Sequence, residues 1–127
     1  MRRNLLFLFA LVLPSTGCLA AAAAGAAGGV YATTRGAESV VEGSVDQIAG
    51  RAEAVMSEMA IVKEGESTED QGDKHVLKGK KGDLDITINI RRESSKTAKV
   101  EVTARKNLAE WDKDYAKEVL SRIVQKG

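Results

Sequence analysis

The sequence predicts a small α+β domain, an antiparallel sheet of four to five strands with two helices packed on one face. Two amphipathic stripes with helical spacing flank the prediction, one following Ser44 and one following Asn107. Between them lie segments with period-two alternation, joined by turns too short for a parallel crossover. The chain has 127 residues, of which 43% are hydrophobic and only 4% aromatic, which suits one small domain rather than a large enzyme core. A single Cys, a single His and a single Pro exclude a disulfide scaffold and a Cys/His zinc cluster, each of which needs several such residues.

Gly36 and Gly43 bracket Ala37 to Glu42, a short strand with Val40 and Val41 at its middle. Ser44 followed by Gln47 forms a capping box that starts a helix, with Val45, Ile48, Ala52, Val55, Met56 and Met59 on one stripe and an end near Met59. Ala60 to Lys63 reads as a strand entry, and the acidic, polar stretch Glu64 to Asp73 reads as loop. Three β segments follow: Lys74 to Lys80, Leu84 to Ile90 and Ala98 to Ala104. Alternation puts Leu84, Ile86, Ile88 and Ile90 on one face with Ala98, Val100, Val102 and Ala104, leaving the other face wet. Lys81-Gly82-Asp83 and Glu93 to Lys96 carry turn chemistry, so the segments form an antiparallel meander. Asn107 with Glu110 offers a second capping box, after which Trp111, Tyr115, Val119, Leu120, Ile123 and Val124 form the stripe of a closing helix.

Charge is unevenly placed along this domain. From Arg35 to Asp73 there are 3 basic and 10 acidic residues, net minus seven; from Lys74 to Lys106 there are 10 basic and 4 acidic, net plus six. Such asymmetry predicts complementarity between an acidic helix side and a basic sheet side, with a basic patch for a partner as the alternative.

The amino-terminal segment is of another kind. Met1-Arg2-Arg3-Asn4 is a short basic head, Leu5 to Leu13 an apolar run, and Pro14 ends it before the small residues Ser15-Thr16-Gly17-Cys18. The apolar run is too short to span a bilayer, which takes roughly 20 residues, so the layout is that of an export signal. Cys18, placed directly after Gly17, resembles the lipobox of bacterial lipoproteins, departing from it at Ser15, where that family normally carries Leu or another aliphatic. The resemblance implies diacylglyceryl attachment at the Cys18 sulfur, cleavage just before it, and acylation of the new amino group. Two or three acyl chains hold a protein firmly to a leaflet, whereas one gives reversible attachment. Plain secretion with cleavage after one of Ala20 to Ala24, or an uncleaved anchor, are the alternatives. Where the cell has two membranes, Leu19 in place of Asp implies the periplasmic face of the outer membrane. From Leu19 to Ala32 the chain is almost wholly Ala and Gly, with Gly25 and Gly29 in G-x-x-x-G spacing, and reads as a compact tether.

The expected organisation is therefore a signal segment at 1–17, a tether at 18–35 and an α+β domain at 36–127. Gly17-Cys18, the Ala/Gly run, Arg35-Gly36 before the first strand, the strand-turn-strand around Gly82 and an Asp112-containing start to the last helix together resemble the small bacterial lipoproteins of domain-of-unknown-function family 3568 (DUF3568). That resemblance covers nearly the whole chain and implies location and fold, since the family has no assigned activity.

The residues offer little catalytic chemistry. His75, beside Asp73 at a strand start, is half of a nucleophilic triad, but no G-x-S-x-G elbow accompanies it, and Ser94 or Ser95 would have to reach it from another turn. The blander reading is a partly exposed strand histidine. The acidic run Glu64, Glu66, Glu69, Asp70 and Asp73 suits a hard cation but lacks the spacing of a calcium loop. No catalytic set, cofactor site or metal site is expected. Lys78, Lys80, Lys81, Arg91, Arg92, Lys96, Lys99, Arg105 and Lys106 offer a cationic surface to an anionic envelope component. Nucleic acid is disfavoured, because no aromatic residue between Lys74 and Lys106 is available to stack a base. The expectation is a non-enzymatic, lipid-anchored envelope protein with a binding or structural domain. Its rivals are an envelope hydrolase using His75 and a self-associating structural subunit of undetermined oligomeric state.

Overall fold

The computed structural model describes residues 29–127. The signal segment 1–17, Cys18 and the tether up to residue 28 lie outside the described residues. The order of elements is β1 (Tyr31–Ala32), β2 (Gly36–Glu42), α1 (Val45–Glu58), β3 (Val62–Glu69), a 3-10 turn (Asp70–Gly72), β4 (Lys74–Lys81), β5 (Leu84–Arg92), β6 (Thr97–Arg105) and α2 (Lys113–Gln125). The class is α+β, as expected, with an antiparallel sheet and two helices. The sheet has six strands, however, in the order β1-β2-β6-β5-β4-β3, rather than four to five.

The additional strands come from two places. Tyr31–Ala32, within the stretch read as tether, pairs with Glu38 and Ala37 of β2. Glu64 to Glu69, read as loop, continues β3 alongside β4, with Glu69 opposite Lys74 and Glu66 opposite Leu77. Acidic residues have poor strand propensity, but pairing with the basic strand β4 supplies backbone partners and opposite charge, and context overrides propensity. The hairpin closes through Asp70, Gln71 and Gly72, all with positive φ.

The meander is antiparallel, and its apolar residues share a face as the alternation predicts. Ile88 sits opposite Val102 on β6 and Leu77 on β4, so the alternating apolar residues share one face. Between β4 and β5 the two-residue turn begins at Gly82, whose φ of 59° a glycine adopts without steric cost. Both helices pack on the apolar face, α1 over β3, β4 and β5, and α2 over β2 and β6. Ile48, Val55, Leu77, Ile86, Ile88, Val102, Leu120 and Ile123 are essentially inaccessible there. Each such side chain contributes about 1.5–3 kcal/mol by burial, against about 0–1 kcal/mol for an exposed ion pair, so this layer decides stability. Gly79 lets α1 approach: a Cβ there would lie 2.6 Å from both Met56 Cε and Ile61 Cγ2.

Helix α1 starts as the sequence predicts. Ser44 Oγ accepts from Gln47 N at 3.1 Å, and Gln47 Oε1 accepts from Ser44 N at 3.0 Å. Helix α2 does not begin at Asn107. That side chain accepts from the backbone N–H groups of Ala109 and Glu110, at 2.9 and 3.0 Å, and so closes a turn. The chain then folds back on β6, where Trp111 bridges to Arg105 and Asp112 N donates to Ala104 O. Asp112 is the N-cap, its Oδ1 accepting from Tyr115 N at 3.0 Å, so Trp111 precedes the helix rather than joining its stripe.

Candidate functional site

Among the described residues, the helices cover one face of the sheet and leave the other bare. Cross-strand registers order the bare face into rows, each crossing the strands. One row runs Gly36, Thr103, Thr87, Lys78 and Gly65 from β2 to β3, and a second runs Glu38, Glu101, Asn89, Val76 and Ser67. A third runs Val40, Lys99, Arg91, Lys74 and Glu69, so three cations stand side by side on the central strands. Val76 is 8% exposed yet lies on this bare face, shielded by its long polar neighbours.

The expected split into an acidic helix side and a basic sheet side is not what forms. The acidic half of the chain supplies β2 and β3, which flank the basic strands β4 to β6 within one sheet. Lys99 pairs with Glu38 at 3.5 Å on one flank, and Lys74 with Glu69 at 3.2 Å on the other. Lys80 approaches Asp85 to 4.0 Å between adjacent strands. Of the expected cationic residues, Lys78, Lys80, Arg91, Lys99 and Arg105 share the bare face. Lys81 lies instead over the Tyr115 ring of α2, 5.7 Å from its centroid, and Arg92 reaches Asp73 at 3.3 Å.

Two shallow cavities indent the bare face. One, of about 330 Å³, is lined by Lys74, Asn89, Arg91, Glu93, Lys99 and Glu101. The other, of about 340 Å³, is lined among others by Lys78, Asp85, Thr87, Thr103, Arg105 and Trp111. Trp111 is held there by two guanidinium groups, Arg35 at 5.3 Å and Arg105 at 6.0 Å from the ring centroid. Arg105 is fixed in turn by its Nε donating to Asn107 O at 3.1 Å. Cation–π attraction explains why a half-buried indole stays against a polar sheet face. Neither the row of cations nor this cluster is readable from the linear order, because residues from separate strands meet only once the register exists.

His75 lies at the rim of the helix-covered face, where β4 meets β3. Its Nε2 is 3.1 Å from Glu66 Oε2, and its Nδ1 is 3.3 Å from Thr68 Oγ1. Glu66 also pairs with Lys63 at 2.9 Å, and Lys63 with Glu53 of α1 at 2.8 Å. The hydrogen bond from Lys63, then that to His75, holds the Glu66 carboxyl below its usual range, while the bond to Glu53, then Glu66, raises Lys63. A hydroxyl, an imidazole and a carboxylate therefore stand in sequence. The hydroxyl belongs to Thr68, on the neighbouring strand, rather than to Ser94 or Ser95, which lie in the β5–β6 turn. The two bare-face cavities are lined by other residues.

Among the described residues no cluster of three His, Cys, Asp or Glu side chains is arranged to hold a metal ion. No described helix is long and apolar enough to cross a membrane. Tyr115, from the apolar stripe of α2, has a buried hydroxyl without a partner, and burial pushes its pKa up. Comparison with family models, with curated proteins and with solved structures finds no match for this chain. The resemblance to family 3568 thus stands on the layout of the chain alone.

Proposed function

We propose that this chain is a lipid-anchored protein of the bacterial cell envelope, a relative of the family 3568 lipoproteins, whose domain binds an envelope component through its bare sheet face. The anchor is Cys18, acylated on sulfur and, after cleavage, on its amino group, with Leu19 directing it to the outer membrane in a two-membrane cell. The observation that carries the binding half is the division of the sheet: both helices occupy one face, and the other keeps half-buried polar side chains around shallow cavities. Lys74 and Asn89 line one of those cavities and Thr87 and Thr103 the other, so their polar groups face recesses open to a ligand. The tether upstream gives the domain reach from a leaflet.

Metabolic labelling with an alkyne fatty acid tests the anchor. Wild type takes the label and Cys18→Ala does not; equal labelling of the two would remove the anchor from this reading.

One observation favours a second reading, an envelope hydrolase. Thr68, His75 and Glu66 stand in the order a hydroxyl nucleophile, its base and an orienting carboxylate require. Against it, Glu66 is shared with Lys63, which lessens its hold on the imidazole. Turnover of activated esters that disappears in both Thr68→Ala and His75→Ala would support the hydrolase; turnover unchanged in either variant would dismiss it.

A further inference from the structure

The row Lys99, Arg91 and Lys74 sits where sheet physics disfavours it. These residues are direct cross-strand partners on β6, β5 and β4. Neighbouring strands lie about 4.8 Å apart, so three positive charges are held within about 10 Å, and like charges directly opposite one another destabilise a sheet. The two ends are relieved by carboxylates: Lys99 by Glu38 at 3.5 Å, Lys74 by Glu69 at 3.2 Å. The middle is not. Arg91 has no ion pair and no side-chain hydrogen bond among the described residues, although Glu93 and Glu101 line the same cavity of about 330 Å³.

We infer that this cavity is an anion site for a compact group bearing two or more phosphates, with the Arg91 guanidinium as its central contact. A guanidinium presents a planar fork that matches two phosphate oxygens at once, and ammonium groups on both sides add charge without demanding geometry. The flanking lysines are partly ordered before any ligand arrives, since the Lys74 side chain is only 23% exposed and both are tied to carboxylates on the adjoining strands β2 and β3. The same carboxylates limit the size of the ligand. Glu38 and Glu69 close the ends of the row, and Glu93 and Glu101 stand beside it, four carboxylates around three cations, so a broad anionic sheet such as a bilayer surface meets more negative charges than positive ones there. A diphosphate or a phosphorylated headgroup fits between them. The inference deepens the binding half of the function proposed above, and it does not depend on the acylation of Cys18.

The test uses the full chain in detergent, with inorganic pyrophosphate as probe and calorimetric titration as readout. Arg91→Gln weakens pyrophosphate binding by about tenfold or more, the loss expected for a charge-assisted bidentate contact. Lys117→Gln, an equal charge change on the exposed side of α2, leaves binding unchanged. Thermal unfolding separates a ligand contact from a structural one: relief of the like-charge row leaves Arg91→Gln as stable as wild type or more so. Equal pyrophosphate affinity in wild type and Arg91→Gln, or no binding in either, overturns the site, and so does a loss of binding accompanied by a fall in stability. A second arm compares wild type and Arg91→Gln, which share one amino terminus, on phosphatidylglycerol and phosphatidylcholine vesicles. An Arg91-dependent preference for phosphatidylglycerol without pyrophosphate binding overturns the compact ligand in favour of a membrane surface. Failure of fatty-acid labelling, by contrast, bears on the anchor alone.

Discussion

At the residue scale, close approach and shared charge make the sharpest demands. Gly79→Ala places a methyl group 2.6 Å from Met56 Cε and Ile61 Cγ2, so the Met56 side chain and the Ile61 segment after α1 must shift. The expected cost is about 1–3 kcal/mol, read as a lower urea midpoint with an unchanged slope. Glu66 gives a pH dependence of known sign. Its carboxyl is held below its ordinary value of 4.5 in the folded chain, chiefly by Lys63, so the associated stability is complete above that value and is lost as pH falls through the folded one. Glu66→Gln should therefore narrow the difference in urea midpoint between about pH 6 and about pH 3. The effect shrinks in high salt because the group is exposed. Legibility at this scale divides by how far a residue's role depends on distant partners. Ser44 and Gln47 are three residues apart, and their capping box was plain in the sequence. Arg91 acquires its meaning from Lys99 and Lys74, on other strands, and the sequence showed only that all three were basic.

At the scale of elements, the two misread segments have one cause. Glu64 to Glu69 and Asn107 to Glu110 carry local signals, loop composition in the first and a capping box in the second, and in both a backbone partner from elsewhere overrides them. For β3 that partner is β4, and for the turn before α2 it is the end of β6. The strands of the meander were legible because alternating apolar residues and short turns agree with each other over three successive segments. The reassigned start of α2 has a direct consequence: Asp112→Ala removes the acceptor of Tyr115 N and should cost about 1 kcal/mol, while Asn107→Ala leaves the helical content of α2 intact. Circular dichroism with urea unfolding on both variants checks this, and the reverse order would restore Asn107 as the cap. The outer edge of β3 is guarded by a register shift between Lys63 and Gly65 and by the charges of Lys63, Glu64, Glu66 and Glu69. Such an edge resists pairing with another chain, which weighs against self-assembly through that side of the sheet.

At the scale of the whole molecule, a sheet covered on one side suits a protein that is held in place and meets its ligand there. The charge asymmetry along the chain resolves into acidic strands β2 and β3 on either side of a basic centre, and this arrangement localises positive charge without making the surface basic overall. The location proposed above rests on Cys18, the one thiol of the chain, and on the export-type layout of the residues before it. The most direct test of that claim is the intact mass of the protein extracted from cell membranes. The expected species is a chain beginning at Cys18 and heavier than its polypeptide by a diacylglyceryl group, with a further acyl chain where the amino group is modified. A polypeptide that still begins at Met1 and carries a free Cys18 thiol would contradict it.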